Sequence, residues 1–136
     1  MDVAEALEFL SEHHRAVLST TRRDGRPQLS PVVAALDVHG HVVVSTRETA
    51  IKTHNIARDP RVSLCVLNDN FFGEWAYLDG EASIVHLPDA LEPLVEYYRK
   101  IAGEHSDWDE YRAAMVRERR VLLEIRVTGA GPSISG

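Results

Sequence analysis

The stretch Ser45-Thr46-Arg47-Glu48-Thr49-Ala50-Ile51-Lys52-Thr53-His54-Asn55 carries the residue types that hold an anion at a strand-to-helix junction. Free amides at a helix N-terminus bear partial positive charge, and the hydroxyls of Ser45, Thr46 and Thr49 can donate to phosphate oxygens. Lys52 falls in the first turn of the expected helix, where a cation opposes the helix dipole. An external phosphate gives a lysine at that place a purpose, and an ammonium reaching into water is the simpler alternative. Both stay open on residue type alone.

Other chemistries lack their residues. No Gly-x-Ser-x-Gly elbow is present, and Cys65 sits in an apolar run that raises a thiol pKa, so covalent catalysis is disfavoured. The seven histidines, arranged as His13-His14, His39-x-His41 and isolated His54, His86 and His105, match no zinc motif, and no metal site is expected. The glycines form neither G-x-G-x-x-G nor a Walker loop.

Charge narrows the partners. The net charge of -6 argues against a nucleic-acid binder, which needs a basic face. Residues 15–68 nevertheless carry eight basic against four acidic side chains, and residues 111–136 five against two, while residues 69–110 carry two against eleven. If the fold joins the two basic segments, they form a local site for a small anion. At about 150 residues per domain, residues 1–136 make one domain, and the 44% hydrophobic and 26% charged content is that of a globular chain. No apolar run spans a bilayer and the first residues are acidic, so a cytoplasmic protein without a membrane partner is expected.

The elements that must position these residues read as follows. Asp2 caps a helix over 3–13, with Val3, Ala6, Leu7 and Leu10 on one face. Residues 15–21 and 28–36 pair through an Asp24-Gly25 hairpin turn, and 41–46 is a third strand. Thr49 offers an N-cap for a helix over 50–58, which Asp59-Pro60 stops. Residues 62–67 form a strand, and 75–85 form one long strand with a glycine bulge at Asp79-Gly80. Helices follow from Pro88-Asp89, with Leu91, Leu94, Val95, Tyr98 and Ile101 on one face, and from Ser106-Asp107-Trp108-Asp109. Residues 121–127 are the sixth strand, and the tail 128–136 reads as irregular. Six strands with short helices predict a small barrel.

The order of Leu18-Ser19-Thr20, Asp24-Gly25-Arg26-Pro27-Gln28-Leu29-Ser30-Pro31-Val32, Ser45-Thr46, Lys52 and Asn55-Ile56-Ala57-Arg58-Asp59-Pro60-Arg61-Val62-Ser63-Leu64 resembles the pyridoxamine-phosphate-oxidase-like split β-barrels. Within them the chain is similar to the deazaflavin-dependent enzymes that use coenzyme F420, through Tyr98-Arg99-Lys100-Ile101-Ala102-Gly103-Glu104-His105-Ser106-Asp107-Trp108-Asp109 and Arg119-Arg120-Val121-Leu122-Leu123. The resemblance implies a mainly β fold with flanking short helices: a six-stranded split barrel of the FMN-binding type, working as a homodimer with a site at each seam. It places the phosphate end of the cofactor at Lys52, Ser45 and Thr46 and the tricyclic ring along Gln28, Ser30, Pro31 and Val32, with Ile51 a further cofactor-binding residue. Trp75 becomes a ring or partner-subunit contact, and Arg61 a contact for an anionic tail.

Two departures bear on the cofactor. Where the flavin oxidases carry Arg-x-Val-Leu-Leu-Lys and Ser-Arg-Lys, this chain has Gln28-Leu29-Ser30-Pro31-Val32 and Ala50-Ile51-Lys52, and the terminal Arg-Leu of the vitamin enzymes is missing. The implied function is therefore hydride transfer from reduced F420 to a conjugated organic acceptor. The alternatives are an FMN-dependent oxidoreductase of the same fold and a non-catalytic F420 carrier. His54, Tyr77 and Tyr98 are candidate proton donors, and none is assigned as catalytic.

Overall fold

Asp2 caps α1 (Val3–Glu12) by accepting the Glu5 amide on its Oδ1 at 2.9 Å, and Ala6, Phe9 and Leu10 form the buried face. In the computed structural model, which describes residues 1–133, α1 leads into β1 (Arg15–Thr21), β2 (Pro27–Val33), β3 (Ala35–Leu36), β4 (Val42–Arg47) and α2 (Ile51–Arg58). Then come β5 (Arg61–Leu67), β6 (Trp75–Val85), α3 (Leu91–Ala102), α4 (Trp108–Arg117) and β7 (Arg120–Gly131). The strands form one antiparallel sheet in the order β2-β1-β5-β6-β7-β4-β3.

The seventh strand arises because the expected strand 28–36 breaks at Ala34. Up to Val33 the chain pairs with β1; from Ala35 it pairs with β4. Between the two, the Ala34 amide bonds the His14 carbonyl at 2.8 Å and the Ala34 carbonyl meets His14 Nδ1 at 2.8 Å. A change of partner in mid-strand curls the sheet on itself, so the terminal strands of the order, β2 and β3, are consecutive in the chain.

Alternating side chains fill the inside of the curl. Leu18, Leu64, Leu78 and Leu123 are all but fully buried there with Val42, Val44 and Val66, and α1 adds Phe9 and Leu10. Burying such a side chain contributes roughly 1.5–3 kcal/mol. A second core lies outside, where α3 and α4 press Leu94, Val95, Tyr97, Tyr111 and Met115 against Val43 and Leu122. The expected α3 face packs here, Leu94 and Val95 buried and Leu91, Tyr98 and Ile101 partly so; Tyr97 is buried beside them, and Tyr98 also joins His105, Trp108 and Tyr111 in a partly exposed aromatic cluster.

Three further expectations change. The N-cap of α2 is Ala50, with no side-chain bond, because the turn from Arg47 to Ala50 carries the chain past Thr49 before the helix begins. The helix after Pro88 starts at Leu91, once a turn has been closed by Ala90 N to His86 O. Residues 128–131 extend β7 because β6 supplies Tyr77, Leu78 and Asp79 as partners, with the register shift at Asp79/Gly80 where a bulge was expected. Gly131 is required there, since a Cβ would stand 2.3 Å from the Tyr77 ring. The remainder of the expected irregular tail, residues 134–136, lies outside the described residues.

Candidate functional site

The curled sheet leaves a fork between β2 and β4. Continuing the β3–β4 register, Ala35↔Val43 and Leu36↔Val42, would set Val33 opposite Ser45, yet that ladder stops: β4 stays paired with β7 on its other edge, and β2 pairs only with β1. Pro27 and Pro31 fit this arrangement, because an edge strand tolerates residues without an amide hydrogen. Tyr97 enters the fork from α3: its hydroxyl donates to the Val33 carbonyl at 2.8 Å and lies beside the Ser45 backbone. Burial raises the Tyr97 pKa, so the hydroxyl stays a donor.

At the other end of the fork sits α2. Thr53 Oγ1 donates to the Arg47 carbonyl at 2.7 Å, tying the helix to β4. Asn55 Nδ2 donates to Thr20 Oγ1 at 3.1 Å, and Thr20 Oγ1 donates to Gln28 Oε1 at 3.2 Å, tying it to β1 and β2. Arg58 completes the anchor with bonds to Asn55 Oδ1 at 3.0 Å and the Thr21 carbonyl at 2.7 Å. Thr53 and Asn55 are buried and the Asn55–Thr20 bond is sheltered from water, so α2 begins at a fixed place.

Lys52 is half-buried in the first turn of this helix, and burial followed by the charge of Arg120 lowers its pKa. Arg120 faces Arg47 across the β4–β7 ladder, and both reach Glu118, at 2.9 and 3.7 Å. Residues from the two basic segments of the sequence thus meet where β4 ends. The carboxylates there are engaged, Glu118 with these arginines and Glu48 with Arg119 at 3.1 Å. Among the described residues Lys52 forms no ion pair, and the amides of Ile51 and Lys52 precede the first helical acceptor. A half-buried ammonium crowded by a guanidinium carries uncompensated positive charge, which an anion can neutralise.

The expected site residues separate into two groups. Gln28, Ser30 and Val32 lie opposite Thr20, Leu18 and Ala16 and share the inner face of β2, and Ser45 and Thr46 lie on the other lip of the fork. Pro31 turns to the outer face and is exposed. Ser30 Oγ is buried without a hydrogen-bond partner, an orphan facing this interior. Ile51 is 65% exposed and lines a shallow depression with Arg22, Arg23, His54 and Arg58. Arg61 and Trp75 stand apart from the fork, on the outer face of the sheet. Arg61 pairs with Asp59 at 2.9 Å, and Trp75 packs beside Tyr77 with ring centroids 6.3 Å apart. Tyr97 and Arg120 escaped the sequence reading. The Leu94, Tyr97, Ile101 spacing on α3 was a usable sign of the first; Arg120 acquires its place only through pairing with Arg47.

The family model for pyridoxamine 5'-phosphate oxidase matches residues 3–131. The chain belongs to the pyridoxamine 5'-phosphate oxidase family. In this family it is 30% identical, over 124 residues that cover 90% of this chain and 82% of the relative, to an F420H2-dependent biliverdin reductase of Mycobacterium tuberculosis (strain CDC 1551 / Oshkosh). Its fold is similar to that of a conserved hypothetical protein from Mycobacterium tuberculosis, with a TM-score of 0.78 at 24% identity over 100% of this chain and 93% of that one. An F420 reductase structure aligns with a TM-score of 0.71 at 22% identity, over 91% of this chain and 94% of that one.

Proposed function

We propose that this chain is an F420H2-dependent reductase, with the phosphate end of the coenzyme at Lys52 and its ring system along the β2–β4 fork. The observation that carries the reading is the pair of unmet groups on the two sides of the fork: the unpaired Lys52 ammonium and the orphaned Ser30 Oγ. Both fit a ligand with an acidic end and a heteroatom-bearing ring. The relative of known activity shares this cofactor class over most of its length.

When bound, reduced F420 supplies the hydride, and the protein binds, orients and shields. Lys52, the amides of Ile51 and Lys52, and the Ser45 and Thr46 strand end hold the phosphate. Ser30 and the inner face of β2 seat the ring. Tyr97 and α2 keep the two lips apart at a fixed width, and holding donor and acceptor in near-attack geometry is worth about 7–11 kcal/mol of barrier.

A second copy completes the site. On the outer sheet face Leu29, Pro31, Val33 and Tyr77 are exposed beside half-buried Val17, Cys65, Leu67 and Trp75, a run of apolar side chains across neighbouring strands of the kind that packs against a partner. Arg61 and Trp75 lie on that same face, so they reach a cofactor only across a dimer seam. The acceptor class is a conjugated organic molecule, with a linear tetrapyrrole the first to test in view of the relative's substrate.

The test is anaerobic mixing of purified protein with reduced F420 and, in turn, a linear tetrapyrrole, a quinone, an enone and a nitroaromatic. Protein-dependent reoxidation of the coenzyme by at least one acceptor supports the proposal. Tight binding with no reoxidation by any of them identifies a carrier instead, and protein purified yellow with FMN identifies a flavoenzyme.

A further inference from the structure

We propose that Asp37, His41 and Glu124 form a binding site for a divalent transition-metal cation of the zinc type, separate from the fork. His41 Nδ1 lies 3.5 Å from Asp37 Oδ2 and 3.5 Å from Glu124 Oε1, and the three ligand atoms fall within 4.8 Å of one another. The Nδ1 atom is shut off from solvent and makes no hydrogen bond with either carboxylate or any other described group. The ring nitrogen, on a side chain 30% exposed, is hydrogen-bonded to neither carboxylate; both stand at ion-pair distance from a protonated imidazole, and a cation between the three atoms would bind the neutral ring and both carboxylates at once.

The spacing sets the geometry. Ligand bonds of 2.0–2.2 Å put ligand atoms about 3.4 Å apart around a tetrahedral ion and about 3.0 Å apart in cis positions of an octahedral one. The two 3.5 Å separations from His41 Nδ1 are near the tetrahedral value, and the two carboxylate oxygens lie within 4.8 Å of each other. One imidazole and two carboxylates suit zinc, and they leave the fourth position to water.

The ligands are fixed in place before any ion arrives. Asp37 Oδ1 accepts the His39 and His41 amides at 2.8 and 2.9 Å, which leaves Oδ2 turned toward the ring. Glu124 comes from β7, delivered by its pairing with Val43. Asp37 and Glu124 also line a cavity of about 410 Å³ with Val43, Glu92, Glu96 and Lys100, and of its carboxylates Glu92 and Glu96 are already paired with Arg112 and Arg99. No sequence motif could show this site, because its third ligand lies more than eighty residues from the other two.

Chelator-treated full-length protein titrated with Co2+ tests the assignment, since tetrahedral Co2+ absorbs visibly. The wild type should take up one equivalent with intense visible bands that added Zn2+ abolishes. His41→Ala should weaken uptake by roughly 100-fold and Glu124→Gln by at least 10-fold or so, while His86→Ala, at an exposed histidine elsewhere, should leave it unchanged. Circular dichroism checks that each variant is folded, and if His41→Ala is not, the near-isosteric Glu124→Gln decides alone. Absence of the visible bands in the wild type, or uptake equally strong in the folded variants, overturns the proposal.

Discussion

The Tyr97 hydroxyl donates to the Val33 carbonyl at 2.8 Å where β2 and β4 part, beside the Ser45 backbone that a continued ladder would have paired with Val33. One side-chain hydroxyl thus stands in for a missing strand-to-strand bond, and the sheet can open without stranding a buried carbonyl. The width of the fork depends on this substitution.

Tyr97→Phe removes the donor and leaves the Val33 carbonyl unsatisfied, which costs about 1–3 kcal/mol. Urea denaturation should report this loss, with the secondary structure retained. Coenzyme affinity should fall as well, because the lips of the fork are no longer held at one spacing.

The pH dependence of anion binding follows from Lys52. Its pKa lies below the ordinary 10.5, because burial and Arg120 disfavour the charged form. As pH rises, the ammonium is lost earlier than from an exposed lysine, and phosphate-end affinity should decline on the alkaline side before pH 10.5. For the free protein the sign is opposite: the unfolded chain holds the proton more strongly in that window, so this group's contribution to stability rises with pH. Titrating coenzyme binding against pH, with Lys52→Arg as the variant that keeps its charge, separates the two effects.

Tyr111 is a spectroscopic marker of the outer core. Burial, followed by the neighbouring Tyr97, pushes its pKa up to about 12, while its hydroxyl donates to the Leu94 carbonyl at 2.9 Å. Ultraviolet titration should show a tyrosine that stays neutral well beyond pH 10. Tyr97 is also raised by burial, so Tyr111→Phe should shrink that late phase by one tyrosine and remove its most alkaline part.

The bulge in β6 should tolerate no side chain at Gly80. A Cβ there would meet the Arg126 carbonyl at 2.5 Å and Ile125 Cγ2 at 2.8 Å, and backbone cannot step aside as a flexible side chain can. Gly80→Ala should cost about 1–3 kcal/mol in thermal or urea unfolding. Gly25→Ala meets nothing within 4 Å and carries only the strain of its positive φ.

Leu29→Glu tests the second copy. Leu29 is 62% exposed on the outer face of β2, and a carboxylate there would have to be desolvated at the proposed seam. Sedimentation should show a dimeric wild type and a monomeric but folded variant. A monomeric wild type would remove Arg61 and Trp75 from the site.

Much of this architecture was legible in residue order. Asp2, Asp24-Gly25, Asp59-Pro60 and Asp79-Gly80 act through local backbone chemistry, so the first helix, the β1–β2 hairpin, the stop of α2 and the bulge were readable. What eluded the sequence depends on partners distant in the chain. Ala34 looks like any strand residue until His14 and β4 draw the chain away from β1. Residues 128–131 look irregular because they lack apolar alternation, and only pairing with Tyr77, Leu78 and Asp79 makes them strand. Tyr97 and Tyr98 are equally apolar neighbours, and only the α3–β4 packing decides which is buried. At the candidate site, the placing of Lys52 in the first turn of α2 was visible from the sequence. The fork beside it was not, since it depends on a ladder that fails to form.

The most direct measurement is a fluorescence titration of wild type and Lys52→Ala with F420, alongside FMN. The wild type should bind F420 in preference to FMN, and the variant should remain folded while losing about 1.5–3 kcal/mol of F420 affinity, roughly 10- to 150-fold. Equal affinity of the two proteins for F420, or indifference of the wild type to it, would contradict the account.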